Sequence, residues 1–188
     1  MKKTVFITAL LLLTAYNLYA QDLQLTRNGQ ISFFSSTPVE DIKAVNNEVS
    51  SVLNTKTASL QFVVLIKGFQ FRKAAMQEHF NEKEYLNSDK FPKSEFKGTV
   101  TDLSKVNFKK DGTYPVTVEG TLTLHGVSNK INIPGIVTIK AGKVSASSKF
   151  TIRLADYNVT VPAIVSSKIA ERVDITVNCN YEPYQPKS

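Results

Sequence analysis

Four stretches of this chain alternate apolar and polar residues for about ten positions each, and that period of two dictates strands. In 114–124, Tyr114, Val116, Val118, Leu122 and Leu124 share one face, and Pro115, Thr117, Glu119, Thr121 and Thr123 share the other. In 129–139, Ile131, Ile133, Val137 and Ile139 oppose Lys130, Asn132 and Thr138. In 143–154, Val144, Ala146, Phe150, Ile152 and Leu154 oppose Lys143, Ser145, Ser147, Lys149, Thr151 and Arg153. In 172–181, Val173, Ile175, Val177, Cys179 and Tyr181 oppose Arg172, Asp174, Thr176, Asn178 and Asn180. Repeated alternation of this kind is the mark of an antiparallel sheet with one wet face. Strands this long exceed the usual five or six residues, and sheets of many long strands curl or close, which removes their exposed edges.

The remaining segments are less regular. Residues 59–67 carry Phe62, Val64 and Ile66 on one parity and Val63 and Leu65 on the other, so a cover over the second face is expected. Residues 94–101 carry Phe96 and Val100, and 30–36 carry Ile31 and Phe33 on one parity. Residues 43–53 fit a strand, with helix as a real alternative. A helix is expected from about Arg72 to Asn81, where Ala74, Ala75, Met76, Gln77 and Glu78 favour that conformation. Met76, His79 and Phe80 then share a face at i, i+3 and i+4. The following segment, Tyr85 to Pro92, reads as a loop. No linker or repeat divides the chain.

Residues 1–20 stand apart from this pattern. Lys2 and Lys3 precede an apolar stretch, Val5 to Leu13, that is too short for a membrane span of about 20 residues. Ala20 offers the small residue that a signal peptidase requires. We expect a signal peptide over 1–20, a single folded domain over 21–188, and export to the periplasm or the extracellular space. Residue 21 is Gln, which closes the lipoprotein route.

Composition then excludes several functions. The 23 Lys+Arg against 16 Asp+Glu give a net charge of +7, but no basic block of the nucleic-acid-binding kind is present. No nucleic-acid partner is expected; weak, transient contact with an anionic membrane surface stays open. One Cys and two His exclude a disulfide framework and a Cys-rich zinc module. There is no HExxH pair, GxSxG elbow, P-loop or CxxC. We expect no catalytic residue, no metal and no cofactor.

Several segments resemble the YceI-like family of exported, lipocalin-like lipid-binding proteins. Gly120-Thr121-Leu122-Thr123-Leu124-His125-Gly126-Val127-Ser128-Asn129-Lys130, followed by Ile131-Asn132-Ile133-Pro134, is similar to that family's signature hairpin. Met76-Gln77-Glu78-His79-Phe80 with Tyr85-Leu86-Asn87-Ser88, then Phe91-Pro92-Lys93-Ser94-Glu95-Phe96-Lys97-Gly98, is a second match. Phe150-Thr151-Ile152-Arg153-Leu154-Ala155-Asp156-Tyr157, with Val173-Asp174-Ile175-Thr176-Val177, is a third. The chain departs from the family pattern in lacking a His-Ser pair near its start, and in Asn158-Val159-Thr160-Val161-Pro162 after Tyr157.

The resemblance implies an all-β fold: an extended antiparallel eight-stranded lipocalin-like β-barrel with one short helix and a helix-loop insertion. It also implies a hydrophobic small-molecule partner, an isoprenoid or acyl lipid such as a polyisoprenoid, fatty acid or fatty amide, held in the lumen for transport or storage. Phe62, Val64, Ile66, Phe96, Val118, Leu122, Leu124, Ile133, Phe150 and Ile152 have the inward parity for an apolar lumen. Phe69, Phe71, Met76 and Phe80 are placed as a lid or the core beneath the helix. His79, Tyr85 and Tyr157 are candidates for the pocket mouth, and His125 for a hairpin turn. Two alternatives stay open: a solid-core barrel with an interaction or structural role in the envelope, and a small envelope enzyme acting on a lipid-like substrate. Monomer and homodimer are both compatible with the sequence.

Overall fold

The computed structural model describes residues 22–162 and 165–184; the expected signal peptide lies outside them. The alternating runs form strands, and their pairing closes into an eight-stranded antiparallel barrel. In chain order the strands are β1 (Leu23–Ser36), β2 (Asp41–Asn54), β3 (Ser59–Leu65), the two-residue β4 (Gln70–Phe71), β5 (Lys93–Val100), β6 (Gly112–Leu124), β7 (Val127–Lys140), β8 (Lys143–Arg153) and β9 (Arg172–Pro183). The barrel runs β1-β9-β8-β7-β6-β5-β3-β2, and β2 pairs back onto β1. The one α-helix among the described residues, α1 (Ala74–Asn81), lies in the insertion between β3 and β5.

Apolar parity points inward. Val116, Val118, Val137, Ile139, Val144, Val177, Cys179 and Tyr181 are buried, while Lys130, Asn132, Lys149 and Arg153 face out. The second face of β3 is a correction: Val63 and Leu65 stay 39% and 53% exposed, with no cover among the described residues. In register they stand beside Ser50, Glu95 and Lys93, and Lys93 and Glu95 form an ion pair at 2.6 Å. Isolated apolar side chains of this kind are ordinary on a protein surface.

The helix alternative for 43–53 is also overturned. Ala44 and Asn46 are buried on even numbers, whereas Val49, Ser51 and Leu53 are buried on odd numbers. The β1–β2 register shifts between Thr26 and Gly29 and again between Gly29 and Ile31. The extra residues of a bulge switch the parity, so the segment never shows a sustained period of two. Gly29 suits that bulge because a Cβ there would meet the Cys179 Sγ at 2.8 Å.

The two ends of the barrel are built differently. At the floor, the 3-10 turn Leu103–Lys105 brings Leu103 and Val106 onto a continuous cluster with Leu53, Leu60, Val100, Ile139 and Val144. At the other end, β3 leaves the sheet after Leu65, and the chain returns to β2 as β4 through the pairs Ala44↔Phe71 and Val45↔Gln70. Asn46, fully buried, bridges this break by donating its Nδ2–H to the Leu65 carbonyl at 2.9 Å. Eight residues cannot hold a helix in isolation. Packing holds α1: Phe80 lies against Phe33, Phe69 and Phe71, with ring centroids 5.0–5.6 Å apart.

Candidate ligand-binding site

Above the floor the barrel is hollow. A cavity of about 440 Å³ runs from Leu53, Leu60 and Tyr181 up to α1 and the connection from β8 to β9. Its wall is almost entirely hydrocarbon. Of the residues placed in the lumen from parity, Phe62, Val64, Ile66, Phe96, Val118, Leu122, Leu124, Ile133, Phe150 and Ile152 all line it. The proposed lid residues Phe69, Phe71, Met76 and Phe80, and the mouth residues His79 and Tyr85, line it as well.

The wall is shaped by a glycine pair. Gly98 on β5 stands opposite Gly120 on β6, and a Cβ at either would lie 2.5–2.6 Å from the Phe96 ring. With no side chains in the way, the ring can fold back onto the sheet, where larger residues would push it out into the lumen.

Polar groups gather at the mouth. Glu40, in the β1–β2 turn, accepts an ion-paired hydrogen bond from the Lys73 Nζ at 2.9 Å, which ties that turn to the start of α1. The Lys73 hydrogen bond is the main cause of a lowered Glu40 pKa, and Lys168 adds to it. Lys168, Glu40, His79, Tyr85 and Thr160 thus form a polar rim on an apolar tube. His79 and Tyr85 stack nearly parallel with ring centroids 6.4 Å apart.

Tyr157 is a correction, because it does not reach the cavity. It belongs to the 3-10 turn Leu154–Tyr157 and is 2% exposed, packed with Ile66, Leu86, Ile152, Val159 and Val173. Burial is the main cause of its raised pKa, and its phenol hydrogen-bonds Asn129. Its carbonyl lies 3.2 Å from the His125 Nδ1. His125 sits in the tight β6–β7 turn with φ +51°, next to Gly126 at +76°, and packs edge-on to Phe91 at 4.6 Å. The chain leaves β8 at Arg153, and the 3-10 turn carries Tyr157 away from the mouth.

Other lining residues were not foreseen. Ile31 and Phe33 had the right parity, but their short apolar run hid how far β1 extends. Glu40, beside Asp41, carries no sequence pattern that marks it as a rim residue. Val159, Thr160, Val161, Val165, Lys168 and Ile169 lie outside regular strands and reach the cavity through topology alone. The Ala170 N–H helps to seat that connection by donating to the buried Ser35 Oγ at 2.9 Å.

Comparison with known proteins places this arrangement. The chain is similar in structure to a polyisoprenoid binding domain from Saccharophagus degradans, with 15% identity, a TM-score of 0.76, and coverage of 87% of this chain and 99% of that one. It is similar to Burkholderia cenocepacia BcnA, with 16% identity, a TM-score of 0.67, and coverage of 82% and 96%. It is also similar to a Campylobacter jejuni YCEI protein, with 18% identity, a TM-score of 0.52, and coverage of 74% and 83%. Curated protein sequences give no significant match. The YceI-like domain matches residues 23–181, which takes in the whole barrel except the last two residues of β9, and the chain belongs to the YceI-like family.

Proposed function

We propose that this protein is an exported carrier that holds a long-chain amphiphile in its lumen, hydrocarbon downward and polar head at the rim. The observation that carries this reading is the cavity itself: an apolar tube with a packed floor and polar groups at its mouth. An apolar cavity of about 150 Å³ accommodates benzene, so 440 Å³ scales to roughly eighteen carbons. At about 0.8 kcal/mol per buried methylene, such a chain gains on the order of 14 kcal/mol before the costs of association and chain ordering. Binding of this size needs no directional chemistry, which fits the scarcity of polar groups deeper in the wall. The Saccharophagus neighbour, described as a polyisoprenoid binding domain, supports an isoprenoid or acyl chain as the ligand class. Export rests on the sequence of residues 1–20.

The test is native mass spectrometry of the purified chain, followed by organic extraction. The expected result is a co-purifying amphiphile at near one-to-one occupancy, or an apo mass that shifts when prenyl or acyl lipids are added. A mass that stays unshifted across such lipids overturns the carrier reading.

A further inference from the structure

The barrel closes through every strand, but one ladder in its wall does not run the full length of its strands. The β6–β7 ladder runs from Gly112↔Ile139 to Leu124↔Val127, the full length of both strands. The β8–β9 ladder likewise runs from Val144↔Tyr181 to Arg153↔Arg172. The β7–β8 ladder between them starts at Lys140↔Lys143 and stops at Ile136↔Ser147. Beyond that pair, Val127–Gly135 of β7 and Ser148–Arg153 of β8 are each ladder-paired on one side only. This seam lies beside the lumen, not beside the packed floor.

The seam has defined corners. At its lower end the Ser148 Oγ donates to the Pro134 carbonyl at 2.6 Å. At its upper end the Asn129 Nδ2–H donates to the Asp156 carbonyl at 2.6 Å, and Arg153 Nε binds the Asp156 carboxylate at 2.8 Å. From Asn129 to Pro134 the strand rises roughly 16 Å. The cavity reaches this window: Ile131, Ile133, Gly135, Ile136, Ser148 and Phe150 line it. Ile136 is 43% exposed on the outer surface, so apolar surface continues from the lumen to the outside.

We propose that the β7–β8 seam is a lateral portal, through which the tail of a chain longer than about eighteen carbons leaves the barrel while its head stays at the rim. This rests on the carrier reading above. A sealed tube would reject such chains, because compressing or folding them into a filled cavity forces strain on the wall. With the seam open, added carbons emerge past Ile136. The site would then accept isoprenoids of about four five-carbon units and more without enlarging the lumen.

The experiment uses the wild-type chain and two fatty-acid probes, of about fourteen and about twenty-four carbons, each with a diazirine on its last carbon. After photolysis, adducts are mapped by peptide mass spectrometry. The long probe is expected to label 131–136 or 147–150, and the short probe the lumen wall around Val116 and Val118. Long-probe adducts confined to Met76, His79 or Lys168 overturn the portal while leaving the carrier intact. Failure of both probes to bind overturns the carrier reading, and the portal with it. A second measurement closes the seam. Continuing the β7–β8 register sets Asn132 opposite Thr151, so Asn132→Cys with Thr151→Cys in a Cys179→Ala background can be bridged by a short bis-thiol reagent. Bridging is expected to weaken the long probe at least tenfold and leave the short one unchanged; equal affinities before and after bridging overturn the proposal.

Discussion

The floor and the tube of this barrel are made from the same strands and the same alternation, yet one is solid and the other hollow. On β7, Ile139 is 2% exposed in the floor cluster, whereas Ile133 is only partly buried and lines the cavity. The difference comes from what lies across the lumen. In the floor, Leu103 and Val106 enter from the β5–β6 connection and fill the space between the strands. In the tube, among the described residues, nothing enters from the connections until α1 and residues such as Val159, Val161, Val165 and Ile169 cap it. Period two assigns a side chain to the inside and is silent on whether the inside is filled.

The largest test of this contrast inserts bulk at each level. Ile139→Trp adds volume where packing is complete and is expected to destabilise the protein by about 3 kcal/mol in urea titrations. Leu122→Trp adds similar bulk to a wall that faces empty space. It is expected to stay within about 1 kcal/mol of wild type and to weaken binding of a long-chain fatty acid at least tenfold. Equal destabilisation at both positions would mean that the tube collapses onto its lining in solution.

How much of this was readable beforehand follows the same division. Strands β6 to β9 were legible because each holds one parity along its length, and the lumen face of Val118, Leu122, Ile133 and Phe150 came with them. The β1–β2 pair was obscured by its bulge, which moves the buried set from Asn46 to Val49. The rim was the least legible part. Glu40 and Lys168 are far apart in sequence and lie outside strands and helix, so only the closed topology brings them to one mouth. Tyr157 shows the converse error: it is adjacent to a strand in sequence yet packed behind the wall.

A second test uses pH to probe the packed end. Burial raises the Cys179 pKa from its ordinary 9.0 to about 11, with a hydrogen bond from Tyr181 working against the shift. Burial likewise pushes the Tyr181 phenol well above its ordinary value. Between pH 9 and 11 the unfolded thiol loses its proton while the folded one keeps it. The stability this supplies is therefore complete below pH 9 and lost as pH rises to about 11, amounting to about 2–3 kcal/mol. Tyr181 adds a loss of the same sign above its ordinary value of 10.0. Urea titrations from pH 8 to 11 are expected to show this decline, with Cys179→Ala flattening its first part. A decline that is the same in Cys179→Ala would mean that the thiol already ionises in the folded protein.

The smallest expected effect bears on where the floor ends and the tube begins. The Tyr181 hydroxyl lies 2.8 Å from the Ser51 Oγ, and both residues are buried. Tyr181 also touches the base of the cavity. In a dry floor, Ser51→Ala leaves the phenol with only the weaker Cys179 sulfur as a partner and costs about 1 kcal/mol. The double change Ser51→Ala with Tyr181→Phe removes both polar atoms together and is expected to recover most of that loss. If water stands in the lower lumen, it replaces the serine hydroxyl and the single change costs close to nothing. Measuring Ser51→Ala with and without a long-chain fatty acid then separates the two conditions. We expect the penalty to be present in both. A penalty that appears only with the acid bound would mean that the chain expels water from the base, and that the tube extends one layer deeper than the packing of Leu103 and Val106 implies.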